Sequence, residues 1–68
     1  MTIYTLMNTL EAIASDEPID FYRGEYLLAS LTLGEHDERY CSFMGEYGLW
    51  CPKSMNIDAE SRSYLVRL

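Results

Sequence analysis

The side chains best suited to catalysis or metal binding in this chain are one histidine and two cysteines. His36 and Cys41 lie five residues apart, and Cys51 follows ten residues later. Structural zinc sites use four such ligands in closely spaced pairs, so this spacing argues against zinc. A catalytic pair would be Cys41 with His36, but a chain of 68 residues has little room for a substrate cavity beside its core. We therefore predict that the protein is not an enzyme.

Patterns for other cofactors are missing from the sequence. The acids around His36 do not follow the order of a calcium-binding loop, and the four glycines do not form a phosphate-binding motif. We predict no metal and no cofactor. Cys41 and Cys51 are expected to remain thiols in a reducing compartment and to pack as small core residues, although their spacing also permits a bridge between adjacent strands.

Acidic residues dominate the charge of the chain. Eleven Asp and Glu outnumber five Lys and Arg, which gives a net charge of −6. Nucleic acids and anionic membranes attract proteins through Lys and Arg, so we predict no direct binding to either and expect a charged partner to be basic. The charge would equally serve to keep a small domain soluble. With no basic leader and no long apolar segment, the predicted location is the cytoplasm.

The first residues carry the clearest periodicity. Apolar side chains recur at the spacing of one helical face, at Ile3, Leu6, Met7, Leu10, Ile13 and Ala14. We predict an amphipathic helix over 3–15, capped by Thr2 or Thr5 and ended before Pro18.

The middle of the chain is predicted to form a connector followed by a hairpin. Residues 18–24 are interpreted as the connector. Alternating apolar residues favour a strand over 25–33, with a helix ended by Gly34 as the alternative. The polar run 34–38 then predicts a hairpin loop, and Tyr, Cys and Phe within 39–44 predict the second strand.

The C-terminal part of the chain is predicted to complete the sheet. Residues 49–51 are interpreted as a short strand, Ser54 as the cap of one helical turn through Ile57, and 64–68 as the last strand. The pattern predicts a single α+β domain over 1–68, with one N-terminal amphipathic helix packed on a small antiparallel sheet of three to four strands. An all-helical first half is the alternative.

Charge and aromatic side chains are the features that remain available for binding a partner. Acids cluster on the connector and on the predicted hairpin loop, and they would form one docking surface if the fold brings them together. Tyr and Trp are enriched at binding hot spots and are too numerous here for all to be buried. The predicted partner-binding residues are Asp16, Glu17, Asp20, Glu35, Asp37, Glu38, Tyr22, Tyr40, Tyr47 and Trp50.

In size, charge and lack of catalytic motifs, the chain resembles the small acidic accessory proteins of phages and plasmids, which include anti-CRISPR, anti-restriction and other host-inhibiting proteins. The resemblance involves no shared motif and implies no residue roles. We predict a protein-binding module, an inhibitor or modulator that docks on a basic surface of a larger protein or complex, such as a surface that binds nucleic acid. The alternative is a structural or regulatory domain that self-associates, so monomer and homodimer both stay open.

Overall fold

Two helices pack on one face of a four-stranded sheet in the computed structural model, which describes residues 1–14, 16–33 and 38–68. The elements in chain order are α1 (Ile3–Ala14), β1 (Pro18–Arg23), β2 (Tyr26–Thr32), α2 (Glu38–Tyr47), β3 (Ser54–Asp58) and β4 (Ser63–Arg67). The predicted α+β class, with an N-terminal helix on a small sheet, is confirmed.

The strand order is β2-β1-β4-β3, which sets two antiparallel hairpins side by side. β1 and β4 pair in parallel at the centre of the sheet. Because α2 carries the chain back along the sheet after β2, β3 runs in the direction of β2, and β4 runs in the direction of β1. The sheet is therefore mixed, whereas the sequence pattern predicts antiparallel pairing throughout.

α1 confirms the predicted N-terminal helix and selects Thr2 as its cap. The Thr2 Oγ1 atom accepts a hydrogen bond from the Thr5 N–H at 3.4 Å. The first two helical N–H groups donate to the carbonyls of Trp50 and Gly48 at 3.0 and 3.3 Å. These bonds satisfy donors that a helix leaves unpaired in its first turn, and they tie the start of α1 to the segment after α2.

The core lies between the helices and the inner face of the sheet. β1 supplies Ile19 and Phe21, both fully buried, and β4 supplies Tyr64 and Val66 in the adjacent register. Burying each large apolar side chain stabilises the fold by about 1.5–3 kcal/mol. The other buried apolar residues are Ile3, Leu6, Met7, Leu10, Leu31, Leu33, Phe43, Met44 and Leu68.

Residues 18–24 are not a connector, because most of them form the central strand β1. Its side chains alternate between the core and the opposite face of the sheet, which we call the open face. Pro18 occupies the first strand position, where the missing N–H is tolerated. Only Ile19 and Phe21 mark the alternation in the sequence, and a pattern this short resembles a loop.

The predicted strand over 39–44 is wrong, because these residues belong to α2. Most of the predicted hairpin loop, 34–37, lies outside the described residues. Tyr40, Phe43, Met44 and Tyr47 pack on or within the core at helical spacing, and this packing outweighs the strand propensity of Tyr, Cys and Phe. The strand predicted over 25–33 is confirmed as β2. The alternative of an all-helical first half is therefore wrong.

The C-terminal predictions divide in the same way. β4 confirms the last strand predicted over 64–68. Residues 54–57 form β3 rather than a helical turn, because their backbone pairs with β4. The strand predicted over 49–51 is wrong, since the Trp50 N–H donates to the Tyr47 carbonyl at 2.9 Å and continues the turn that ends α2.

Candidate protein-binding surfaces

Strand pairing brings several acidic residues to one end of the sheet. β1 begins beside the end of β2, where Pro18 pairs with Thr32, and beside the start of β4, where Ile19 pairs with Tyr64. The turn before β1 and the turn between β3 and β4 are therefore neighbours. The acids on these turns and on the first turn of α2, which we call the acidic end, are Asp16, Glu17, Glu38, Asp58 and Glu60.

Antiparallel packing of the two helices places the start of α2 at this end. The Tyr4 hydroxyl donates to the Met44 carbonyl at 2.8 Å, so the start of α1 lies against the end of α2. Further along the pair, Glu11 of α1 and Tyr40 of α2 line a small groove of about 80 Å³. Since α1 leads directly into the turn before β1, Glu38 belongs to the acidic end.

Among the described residues, Arg39 and Arg62 are the cations at the acidic end, and Arg39 follows Glu38 on the first turn of α2. Arg62 has a φ of 55° in the β3–β4 turn, and its Nη1 atom lies 2.9 Å from Glu17 Oε1. This pair links the two turns, but an exposed ion pair contributes only about 0–1 kcal/mol. Within the described part of the chain, Asp16, Asp58 and Glu60 form no ion pair, so their carboxylates are available to an external cation.

Asp58 is held ionised by its own turn. Hydrogen bonds from Ser61, from the hydroxyl first and then from the backbone N–H, lower the pKa of Asp58 below its usual range. The N–H bond to Asp58 Oδ1 is 3.2 Å long. Because these bonds favour the charged form, Asp58 remains negative to lower pH than an ordinary aspartate.

The opposite end of the sheet, where β1 and β4 end and β3 begins, carries more cations than acids on its strands and turns. Its basic side chains, Arg23, Lys53 and Arg67, define the basic end, and Glu25 of the β1–β2 turn lies beside them. The Arg67 guanidinium donates to the Gly24 carbonyl at 3.1 Å and lies 5.8 Å from the centre of the Tyr22 ring. The Arg23 guanidinium lies 4.6 Å from the centre of the Trp50 ring. Tyr22 and Trp50, two of the predicted partner-binding residues, therefore already contact cations of the same chain.

An aromatic row connects the core to the basic end. Phe21 contacts Phe43 at 4.7 Å between ring centres, Phe43 contacts Tyr47 at 5.0 Å, and Tyr47 contacts Trp50 at 5.5 Å. Tyr47 is half-buried, and Trp50 retains 38% of its accessible surface. Tyr47 and Trp50 are therefore packed within this row and keep only part of their surface exposed.

The structure brings together three of the six predicted acids. Asp16, Glu17 and Glu38 share the acidic end, whereas Glu35 and Asp37 lie outside the described residues. Asp20 lies on the open face, where its neighbours on the adjacent strands are Ser30 and Leu65. Its position near the start of β1 keeps it close to the acidic end without making it part of either turn.

Three of the four predicted aromatic residues lie away from the acidic end. Tyr22, Tyr47 and Trp50 lie towards the basic end. Tyr40 alone lies on the first half of α2, and there partial burial, followed by the nearby Cys41 and Glu11, raises its pKa above 10.0. The predicted partner-binding residues are therefore divided between two ends of the molecule.

Sequence reasoning missed Asp58 and Glu60. The two acids join the acidic end only through the β3–β4 turn, and that hairpin is hidden when 54–57 is interpreted as helical.

Both cysteines are free and exposed, so the prediction that they fill the core is wrong. On α2, the core contacts come from positions 40, 43, 44 and 47, which leaves Cys41 on another side of the helix. Among the residues that the structure describes, no group of three His, Cys, Asp or Glu side chains is arranged to hold a metal ion.

In the described ranges, no helix has the length and apolar character needed to cross a membrane.

No protein-family model, curated protein or solved structure matches the chain. Comparisons with known proteins therefore provide no relative from which a role could be transferred.

Proposed function

We propose that this protein is a small protein-binding module that docks its acidic end on a basic surface of a larger protein, and so inhibits or modulates that partner. The observation that carries the proposal is the convergence of Asp16, Asp58 and Glu60 from two separate turns, with no ion pair to another described residue. A folded domain gains nothing from crowding like charges, so this arrangement favours an external cationic partner.

Clustered carboxylates suit a partner that otherwise binds nucleic acid. Arg and Lys side chains that contact phosphates also form charge-assisted hydrogen bonds with carboxylates, and Arg does so with two parallel bonds. The acidic end would then compete with the nucleic-acid backbone for the same cations. This mode of action agrees with the general resemblance to phage and plasmid accessory proteins, and with action in the cytoplasm, where such partners operate.

We assign the contact to Asp16, Glu38, Asp58 and Glu60, with Tyr40 as the nearest half-buried aromatic side chain. Tyr22, Tyr47 and Trp50 are not assigned to this contact, because they lie towards the basic end. The absence of catalysis stays a prediction.

The test uses charge reversals that alter the net charge equally at the two ends. Asp16→Lys and Glu60→Lys each remove one carboxylate from the acidic end, and Glu25→Lys makes the same change in the β1–β2 turn beside the basic end. Purified wild type and variants serve as baits in a lysate of the source organism, with captured proteins quantified by mass spectrometry. We expect a basic protein that is captured by wild type and Glu25→Lys but is reduced roughly tenfold with the other two variants.

Binding kinetics with the captured protein then test the mechanism. Electrostatic steering predicts that the association rate falls steeply between about 50 and 300 mM salt, and that reversals at the acidic end lower this rate more than they raise the dissociation rate. Added nucleic acid should compete. If Glu25→Lys weakens binding as much as Asp16→Lys, net charge rather than the acidic end is responsible, and the proposal is wrong.

A further inference from the structure

The edge of the sheet formed by β2 is open and uncharged. β2 pairs with β1 on one side, and within the described residues no strand pairs with its other side. Its seven residues, YLLASLT, include neither a charged residue nor a proline. Natural edge strands are usually protected by such residues, because an unpaired row of N–H and C=O groups recruits another strand.

The other edge of the same sheet has the protection that β2 lacks. β3 has five residues and ends in Asp58, and Pro52 and Lys53 precede it. The contrast within one sheet indicates that the β2 edge is kept available for pairing.

A groove runs between β2 and α2 beside this open edge. Its volume is about 250 Å³, and Leu28, Leu31 and Phe43 are among its apolar lining residues. Two exposed charges on α2, Arg39 and Glu46, also line it. They are seven residues apart, so they lie on the same side of the helix about 10 Å from each other. Neither forms an ion pair with another described residue.

We propose that a second copy of this chain occupies the β2 edge and its groove. In this homodimer, β2 pairs antiparallel with β2 of the partner subunit about a two-fold axis near Ala29, the middle residue of the strand. The two α2 helices then run antiparallel beside each other. Arg39 faces Glu46 of the partner subunit, and Glu46 faces Arg39 of the partner subunit, so each charge finds an opposite charge.

Charge complementarity at the groove favours a second copy over a foreign strand. Antiparallel pairing of the two β2 strands sets Arg39 of each subunit against Glu46 of its partner, so the contact is attractive locally although each chain carries a net charge of −6. Both acidic ends remain exposed, so the dimer would present two copies of the surface that the proposed function uses. The dimer inference does not depend on that proposed function.

Sedimentation equilibrium of the purified protein over a range of concentrations tests the dimer. We expect a reversible monomer–dimer equilibrium. Arg39→Glu and Glu46→Arg should each weaken dimerisation at least about tenfold, because each variant turns both reciprocal pairs into repulsions. The double variant Arg39→Glu/Glu46→Arg should restore the equilibrium, and so should an equimolar mixture of the two single variants, since a heterodimer again matches opposite charges. Circular dichroism verifies that each variant is folded.

The matched control places the same side chains on the other edge strand. Asn56→Glu and Asn56→Arg on β3 should leave dimerisation unchanged. A protein that is monomeric at all accessible concentrations overturns the proposal. A dimer that ignores both single variants uses another surface and overturns it too. Weakening without rescue in the mixture would show that Arg39 and Glu46 do not face each other across a two-fold axis, and it would also overturn the proposal.

Discussion

Asp58 links the ionisation of one residue to the stability of the β3–β4 turn. Its carboxylate accepts hydrogen bonds from Ser61, and these lower its pKa. A carboxyl group whose pKa is lower in the folded state contributes stability above its unfolded pKa, and that contribution disappears as pH falls through the folded value. For Asp58 the loss therefore occurs below about pH 3.9, the usual pKa of aspartate.

We expect Ser61→Ala to move the pKa of Asp58 back towards its ordinary value, since the hydroxyl provides the larger share of the shift. The backbone N–H remains, so the return should be partial. Carboxyl carbon chemical shifts recorded through an NMR pH titration measure both values. An unchanged titration in Ser61→Ala would show that the hydroxyl does not hold the carboxylate.

Residue type predicted the exposure of individual side chains poorly for the cysteines and well for the large aliphatic residues. Ile3, Leu6 and Leu10 are fully buried because their spacing and their chemistry agree. Cys41 is small and apolar, but its exposure follows from its position on α2, and that position cannot be known before the segment is recognised as a helix. The exposure of the predicted aromatic residues likewise depends on the fold, because their neighbours come from distant parts of the chain.

The junction between α1 and α2 is the element-scale contact most sensitive to substitution. Gly48 is buried where α2 ends, its N–H donates to the Met44 carbonyl at 2.9 Å, and its own carbonyl accepts from the Tyr4 N–H. A Cβ atom at Gly48 would overlap the Tyr4 ring and the Met44 carbonyl oxygen. The ring can move, but the carbonyl is part of the helix end.

Gly48→Ala is expected to destabilise the protein by about 1–3 kcal/mol, the usual cost of overpacking. Gly45→Ala provides the matched control, because a Cβ there meets nothing within 4 Å. Gly45 lies inside α2, so its replacement should stabilise the fold by about 0.5–1 kcal/mol. Urea unfolding measures both changes. The double variant Tyr4→Ala/Gly48→Ala separates the ring from the carbonyl, and equal stability of Gly48→Ala and wild type would contradict the close approach.

Sequence periodicity predicted α1, β2 and β4 but failed for the other three elements. The spacing of Tyr40, Phe43, Met44 and Tyr47 was a helical signal, obscured by residues with strand propensity and by Gly45. β1 and β3 contain Pro, Asp, Ser and Asn, which are common in turns and loops, whereas the equally short β4 contains aromatic and β-branched residues. Local patterning therefore separated β4 from loops but not β1 or β3. The parallel pairing of β1 with β4 depends on where α2 returns the chain, which no local pattern encodes.

Charge polarity is a property of the whole molecule that composition alone conceals. The same net charge of −6 would result whether the acids were spread evenly over the surface or gathered at one end. Strand order instead separates the acidic end from the basic end, across a molecule 30 Å along its longest axis. The sequence predicted the acids on the turn before β1, and it could not predict that Asp58 and Glu60 would join them.

This polarity makes the effect of an added cation on stability differ between the two ends, and salt should remove that difference. At about 10 mM salt, charges interact over roughly 30 Å, and at about 1 M over roughly 3 Å. We therefore expect NaCl to stabilise the wild type by screening repulsion at the acidic end. Glu60→Lys should stabilise the protein by up to about 1 kcal/mol at low salt, and this difference should vanish at high salt.

Glu25→Lys is the control for net charge. Glu25 follows Gly24, whose carbonyl accepts from Arg67, so its reversal adds a cation where cations already lie. We expect no gain in stability at low salt, although the net charge becomes −4 in both variants because each replaces one negative with one positive charge. Urea is the suitable denaturant, since guanidinium would itself screen the charges. Equal stabilisation by Glu25→Lys and Glu60→Lys would mean that self-repulsion follows total charge, and that the separation of acidic and basic ends has no energetic effect.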